Sequence, residues 1–237
     1  MWLINSSIGR KVVMSVTGVA LILFLTFHMS MNIAALFSGE AYNMICEFLG
    51  ANWYALVATL GLAFLAVVHI VYAFWLTMQN RAARGSERYT VTVRSKKVEW
   101  ASQNMLVLGI IVLLGLCLHM FNFWYNMMFA ELTGITVAHD PADGFAYIQD
   151  TFANPVYVVL YIVWLAAIWF HLSHGFWSAM QTFGWNGKVW FNRWKVIGIV
   201  YTTLLMLGFL VVVLAFAFNL APSLNCCLYS LQQFRRR

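Results

Sequence analysis

The histidines are the residues of this chain whose positions first suggest a chemistry. Four of the six lie one apiece inside four separate apolar stretches: His28, His69, His119 and His171. An ionisable side chain at membrane depth is costly and usually serves a function. Neutral imidazole is also a common ligand of metals and of haem iron. The pattern therefore predicts a protein that holds a cofactor within a membrane.

The composition favours a membrane protein before any motif is used. The 237 residues are 62% hydrophobic and only 9% charged, and the mean hydropathy is +0.77. A soluble domain of this size is rarely so poor in charge. The basic residues cluster in short segments, which does not favour a nucleic acid partner. The four cysteines show neither zinc spacing nor the signature of covalent haem attachment.

Five apolar stretches are each longer than the roughly 20 residues that cross a bilayer. They cover residues 12–36, 53–79, 103–129, 155–182 and 196–220. The first is too long for a signal peptide and lacks a cleavage site. We therefore expect an all-α integral membrane protein, a single membrane domain over residues 1–237 built as a five-helix bundle.

The charges of the connections predict the orientation of the helices. Connections 37–52 and 130–154 are acidic and contain no Lys or Arg. The basic residues lie in the other two connections and near the N-terminus: Arg10, Lys11, Arg81, Arg84, Arg88, Arg94, Lys96, Lys97, Lys188, Arg193 and Lys195. The positive-inside rule then places the N-terminus in the cytoplasm and the C-terminus outside. Arg235, Arg236 and Arg237 disagree, but late charges are weaker signals.

Counting along the helices sorts the four histidines into two depths. His28 and His119 lie roughly 26 Å and 30 Å from the inner charges, whereas His69 and His171 lie roughly 18 Å from the inner edge. Each depth draws one histidine from each of two helices. Six-coordinate b haem needs one imidazole on each side of the porphyrin, so the pattern predicts two b haems. Gly115 and Gly175, four residues from a histidine, are expected to leave room for a macrocycle.

The remaining two histidines are less informative. His139 lies in an acidic connection, where a solvated loop histidine is the simpler interpretation. His174 is three residues from His171 and lies on nearly the same helical face. Spacing alone leaves either of these two as the ligand.

Four segments resemble a known family. They are L-T-F-H-M-S-M-N (25–32), V-V-H-I-V-Y (67–72), G-L-C-L-H-M-F (115–121) and F-H-L-S-H-G-F-W-S (170–178), the last followed by F-G-W at 183–185. In order and helix number they are similar to the haem segments of the diheme cytochrome b membrane-anchor subunit of succinate dehydrogenase and fumarate reductase, of the single-chain five-helix type. The likeness covers essentially the whole chain.

The resemblance implies ligands, cofactors and partners. His28 and His119 would hold the outer haem, and His69 and His171, rather than His174, the inner one. An iron–sulphur subunit on the cytoplasmic face would exchange electrons with the inner haem and contact an FAD-bearing flavoprotein. Menaquinone or another quinone would be the membrane substrate. The location implied is the bacterial cytoplasmic membrane, and the succinate:quinone oxidoreductase activity would belong to the complex, because this chain has no site for the carboxylate chemistry.

Further roles are implied for individual residues. Glu47 is the nearest candidate for an acidic quinone-site residue, with an exposed loop acid as the alternative. Arg10, Lys11, Arg193 and Lys195 are candidate partners of haem propionates, or plain cytoplasmic anchors. Ser15, Thr17 and Trp177 are weaker candidates for hydrogen bonds at the haem edges. Trp169 departs from those fumarate reductases that carry a glutamate at this position, so their proton route is not implied.

One alternative is a redox relative, and two belong to other classes. The diheme cytochrome b subunit of respiratory nitrate reductase is a redox relative with different histidine motifs. A proton or ion transporter would usually show carboxylates inside its spans, and none falls within the five stretches. A haem-free anchor for a soluble complex would need no histidine pairs.

Overall fold

The computed structural model describes residues 6–50, 52–84 and 99–221. Its helices are α1 (Ser7–Ile33), α2 (Gly39–Phe48), α3 (Trp53–Arg84), α4 (Trp100–Gln103), α5 (Met105–His119), α6 (Ala130–Thr133), α7 (Gly144–Ala153), α8 (Pro155–Thr182) and α9 (Trp190–Ala217). A 3-10 turn, Ala34–Leu36, follows α1. A π-helix, Met120–Phe129, joins α5 to α6. The described residues contain no strand.

Five of these segments are long and apolar enough to cross a membrane. They are Ser7–Leu36, Trp53–Ala83, Met105–Thr133, Pro155–Thr182 and Trp190–Ala217. The predicted all-α fold with five membrane-length helices is confirmed. The last helix begins at Trp190, six residues before residue 196, where the last apolar stretch was predicted to begin. The prediction left out Trp190–Lys195 because they include polar residues, but these residues are helical.

The long helices expose large apolar side chains. Phe64, Leu114 and Leu204 are all more than 60% exposed. A soluble protein rarely shows such continuous apolar surface. Lipid is the environment that removes this surface from water, so these faces are compatible with a multi-pass membrane protein.

Two short helices occur in connections where only loops were expected. Ser38 caps α2 by accepting a hydrogen bond from the backbone N–H of Ala41 at 3.2 Å. Asp143 caps α7 in the same way through Ala146 at 3.1 Å. Such caps satisfy backbone donors that the first helical turn leaves unpaired. Both helices are ten residues long, too short to span, and sequence hydropathy therefore missed them.

The chain divides into two compact units. Unit 1 comprises Met1–Leu25, Leu60–Leu113 and Ala166–Leu204; unit 2 comprises Thr26–Thr59, Leu114–Leu165 and Leu205–Arg237. Each of the five long helices contributes a segment to both units. His69, His171 and His174 belong to unit 1, whereas His28, His119 and His139 belong to unit 2.

The basic residues Arg88, Arg94, Lys96 and Lys97 lie outside the described residues, as do Arg235, Arg236 and Arg237. The predicted orientation across the membrane stays a prediction.

Within unit 2, one asparagine joins α2 to the start of α7. The Asn43 Nδ2 donates to Asp143 Oδ1 at 2.7 Å, and its Oδ1 accepts from the Phe145 N–H at 2.9 Å. Phe145 is fully buried and packs against Phe216 of α9, with ring centroids 5.1 Å apart. Asn43 therefore fixes the position at which α7 enters the core of this unit.

We expect Asn43→Ala to lower the free energy of unfolding by about 1–3 kcal/mol, because the Phe145 N–H loses its acceptor and the Asp143 carboxylate loses one of its two donors. Thermal unfolding in detergent measures the loss. Met44→Ala is the matched control, since Met44 is the exposed neighbour on the same helix. Equal melting temperatures for the two variants would contradict this role of Asn43.

Candidate functional site

In unit 1, α3 and α8 bring His69 and His171 together. Their ring centroids are 6.4 Å apart and the ring planes are inclined by 72°. Both side chains are half-buried. The Nδ1 of His171 is buried and has no hydrogen-bond partner among the described residues. Two imidazoles thus meet from different helices within an apolar unit.

A hydrogen bond from α1 orients His69. Thr17 is buried, and its Oγ1 lies 3.1 Å from His69 Nδ1. The same hydroxyl is within 2.8 Å of the Val13 carbonyl oxygen and 3.1 Å of that of Met14. A hydroxyl has one proton, and the backbone carbonyls take it, so the oxygen accepts from His69 Nδ1–H. Nε2 of His69 then keeps the lone pair that a metal ion needs.

Glycines keep the backbone of neighbouring helices close to these rings. A Cβ on Gly18 would lie 3.3 Å from His69 Cε1, and one on Gly109 would lie 3.8 Å from His171 Cε1. Nothing lies within 4 Å of a Cβ placed on Gly175. A flat ring system needs such close, side-chain-free approaches of the helices.

The structure shows which of His171 and His174 faces His69, a choice that residue spacing left open. His174 Nδ1 lies 3.6 Å from Glu99 Oε2, and its ring contacts Trp177 with centroids 4.8 Å apart. Glu99 also accepts a hydrogen bond from Lys195 Nζ at 2.7 Å. His171 is therefore the histidine of α8 that faces His69, and His174 belongs to a charged cluster with Glu99 and Lys195.

In unit 2, α1 and α5 bring His28 and His119 together. Their ring centroids are 5.7 Å apart and the planes are inclined by 84°. Asn32 holds His28 from the next helical turn: its Nδ2 donates to the His28 carbonyl oxygen at 2.8 Å and lies 3.4 Å from His28 Nε2. The Tyr42 hydroxyl donates to Asn32 Oδ1 at 3.2 Å. Asn32 and Tyr42 were not predicted as site residues, because the bond that holds Asn32 comes from α2, a helix that hydropathy did not predict.

Aromatic rings surround this second pair. The His119 ring lies 5.0 Å from that of Phe123 and 5.5 Å from that of Trp164, and the His28 ring lies 5.9 Å from that of Phe209. A Cβ on Gly115 would lie only 2.0 Å from Trp164 Cδ1. The space at Gly115, which we expected a macrocycle to use, is thus filled by an indole ring.

The ring separations suit two imidazoles that share one metal ion between them. Two metal–nitrogen bonds of about 2.0 Å put the nitrogens about 4 Å apart and the ring centres about 6 Å apart. The observed centroid separations are 5.7 Å and 6.4 Å. Among the described residues no three His, Cys, Asp or Glu side chains converge on a metal site. Haem iron would need only two imidazoles from the protein, which His69 and His171, or His28 and His119, could supply.

The candidate propionate partners have other contacts. Lys195 bonds to Glu99 and lies 4.6 Å from the Trp177 ring centroid. The Cζ of Arg10 lies 5.5 Å from the Trp75 ring, and that of Arg193 lies 5.2 Å from the Trp190 ring. Lys11 is exposed. These cation–aromatic contacts also suit residues at a membrane interface.

The other two positions singled out from the sequence are Glu47 and Trp169. Glu47 is exposed near the C-terminal end of α2. Trp169 donates from its Nε1 to Thr203 Oγ1 at 2.9 Å, which joins α8 to α9. At this position an indole, rather than a carboxylate, supplies the helix contact.

The cluster around Glu99 predicts a dependence of stability on pH. Burial would raise the pKa of the Glu99 carboxyl, but hydrogen bonding to Lys195 and its charge, with the weaker influence of His174, hold that pKa below its ordinary value of 4.5. A carboxyl with a lowered folded-state pKa stabilises the fold above its unfolded-state pKa, and this contribution is lost as the pH falls through the folded-state pKa.

We therefore expect Glu99→Gln to lower the melting temperature at pH 7 and to make progressively less difference below about pH 4.5. Because Glu99 is partly exposed, its coupling to Lys195 should be small, about 0.2–1 kcal/mol in a double-mutant cycle with Lys195→Met. A difference in melting temperature that is constant from pH 7 to pH 4 would contradict the proposed ion pair.

Comparison with known proteins adds no family assignment. The chain matches no family model, no curated protein and no solved structure. The likeness of its histidine segments to diheme cytochrome b subunits therefore stays a resemblance.

Proposed function

We propose that this chain is a diheme cytochrome b that carries electrons across a membrane. Two bis-histidine b haems would be held, one by His69 and His171 and the other by His28 and His119. The observation that carries the proposal is the presence of two imidazole pairs, each drawn from two helices and each within its own unit. Chance burial of four histidines gives no reason for two facing pairs.

The protein's part in this function is to orient ligands and exclude water. Thr17 fixes the tautomer of His69, and Asn32 with Tyr42 restrains His28. The rings of Phe123, Trp164 and Phe209 make the surroundings of the outer pair apolar. Bound haem supplies a reversible one-electron change at iron, and low polarity together with the axial ligands tunes its potential.

We further propose that the chain is the membrane anchor of a succinate dehydrogenase or fumarate reductase complex in the bacterial cytoplasmic membrane. The order of the four histidine segments supports this assignment. An iron–sulphur subunit and an FAD flavoprotein would dock on the cytoplasmic side, and a quinone, expected to be menaquinone, would exchange electrons in the membrane. The diheme subunit of nitrate reductase is the alternative redox role.

The haem ligands are tested by reduced-minus-oxidised spectra and haem extraction of the purified chain. We expect two b haems per chain in the wild type. His69→Ala and His171→Ala should each remove one haem, and His28→Ala and His119→Ala should each remove the other, because six-coordinate iron loses one of its two axial ligands.

His174→Ala is the matched control for His171→Ala, since the two residues are one turn apart on α8 and only His171 faces His69. The control variant should retain two haems. A wild-type chain with one haem or none, or equal haem loss in the two variants, would disprove the ligand assignment.

Glu47→Gln tests the predicted acidic quinone-site residue. If Glu47 exchanges protons with quinone, the variant should lower quinone-linked turnover at least tenfold at unchanged haem content, because general acid–base groups usually contribute about 10²–10⁴-fold. Glu40→Gln, at the other end of α2, is the control. Turnover within twofold of wild type in both variants would leave Glu47 as an exposed acid of α2 without a role in quinone chemistry.

A further inference from the structure

A pocket lies in unit 1 at the connection between α8 and α9. Its volume is about 320 Å³. It is lined by two glycines and three tryptophans: Gly184, Trp185, Gly187, Trp190 and Trp194. The helices on either side, Pro155–Thr182 and Trp190–Ala217, are both long and apolar enough to cross a membrane. When both helices cross a bilayer, the connection between them lies at its surface.

The backbone of this connection is held at both ends. Gly184 has a φ of +81°, a left-handed conformation that favours glycine. Beside it, the Trp185 N–H donates to the Met180 carbonyl oxygen at 3.0 Å, which closes the end of α8. At the start of α9, the Phe191 N–H donates to the Gly187 carbonyl oxygen at 2.9 Å. The pocket is therefore part of a defined turn between the two helices.

The three indole rings contact one another. The Trp194 ring centroid lies 6.1 Å from that of Trp185 and 5.6 Å from that of Trp190, with planes inclined by 25° and 32°. Trp185 and Trp190 are exposed. The Nε1 of Trp194 is buried and has no hydrogen-bond partner among the described residues. A buried indole N–H usually has an acceptor, so a ligand with an acceptor oxygen suits this wall of the pocket.

The charges near the pocket are positive. Residues 151–237 contain no Asp or Glu. Lys188 and Arg193 are exposed. In the part of the chain that the structure describes, neither of these two forms an ion pair, whereas Lys195 bonds to Glu99. Two cations of this connection are therefore available to an anion.

Both cations lie next to residues of the pocket wall. The Cζ of Arg193 is 5.2 Å from the centroid of the Trp190 ring, a contact that holds a guanidinium against an aromatic face. Lys188 directly follows Gly187 in the sequence. One helical turn beyond Trp194, Ile197 is an exposed apolar side chain of α9. These surroundings suit a ligand that is anionic at one end and apolar at the other.

We propose that this pocket binds an anionic phospholipid of the membrane. Its phosphate would contact Lys188, Arg193 and the Nε1 of Trp194, and its acyl chains would lie along α9 at Ile197. Basic pockets between membrane helices on the cytoplasmic side bind anionic lipid headgroups, and the positive-inside rule predicts that side for this connection. The site uses neither histidine pair, so it does not depend on the proposed electron transfer.

The selectivity of the site is tested by native mass spectrometry of the purified full chain in detergent. The chain is titrated with phosphatidylglycerol and, separately, with phosphatidylcholine that carries the same acyl chains. We expect the first phosphatidylglycerol to bind about tenfold or more tightly than the first phosphatidylcholine, because two cations face only the net negative headgroup without a compensating charge. Equal affinities for the two lipids would overturn the proposal.

The double variant Lys188→Gln/Arg193→Gln tests the two cations. It should weaken phosphatidylglycerol binding about tenfold to thirtyfold, since each basic residue near a membrane surface contributes about fivefold. Trp194→Phe keeps an aromatic ring without the Nε1 donor and should weaken binding about threefold to tenfold. Arg81→Gln is the control, because Arg81 is an exposed cation of α3 on the same predicted side of the membrane. An equal loss in Arg81→Gln would overturn the assignment to this pocket.

The position of the lipid is tested by a photoactivatable phosphatidylglycerol in nanodiscs that contain the wild-type chain. We expect labelled peptides from residues 183–200, and labelling confined to other connections would overturn the proposal. Protection of residues 183–200 by soluble polyglutamate, but not by phosphatidylglycerol, would assign the pocket to an acidic protein segment instead. This labelling decides the outcome if a variant fails to fold. A labelled chain without haem would disprove the proposed function and leave the lipid site intact.

Discussion

The structure depends on the need to satisfy polar groups where no water is available. In hydrocarbon, backbone N–H and C=O groups must bond within the segment, which makes a helix the form of each span. Side chains face the same requirement. The four membrane histidines lie in two facing pairs, and each pair has contacts from an additional helix. This pairing joins two helices within each unit.

The groups that orient the histidines act by hydrogen bonds from neighbouring turns and helices. In unit 1 the Thr17 hydroxyl sends its proton to its own helix and accepts from His69. In unit 2 Asn32 reaches back one turn to His28 and is itself held by Tyr42. Supporting contacts of this kind fix ring orientation and tautomer in metal sites. Each is a single side chain whose removal would loosen an imidazole without removing it.

Outside the histidine pairs, polar residues concentrate where the chain leaves its apolar segments. In unit 1 the Glu99 carboxylate accepts a hydrogen bond from Lys195 and lies near the His174 ring. In unit 2 the π-helix, the acidic connection and α7 form the pocket around His139. Asn122, which lines this pocket, donates a hydrogen bond to the Tyr161 hydroxyl, and the Tyr161 ring contacts that of His119.

The sequence by itself determined the five membrane-length helices. The hydropathy of about 20 consecutive residues is a local property, and it decides whether that segment can span a bilayer. It also singled out the four histidines and predicted two depths for them, since a helix converts residue count into distance; the depths stay a prediction. The tertiary structure decided the rest. It placed His171 rather than His174 opposite His69, filled the space at Gly115 with Trp164, and folded α2, α7 and the π-helix from segments without a strong hydropathy signal. It also held His139 in place through contacts with Asp150 and Tyr147. These outcomes depend on contacts between side chains distant in sequence or on the partners of short helices, and no local pattern encodes which residues will meet.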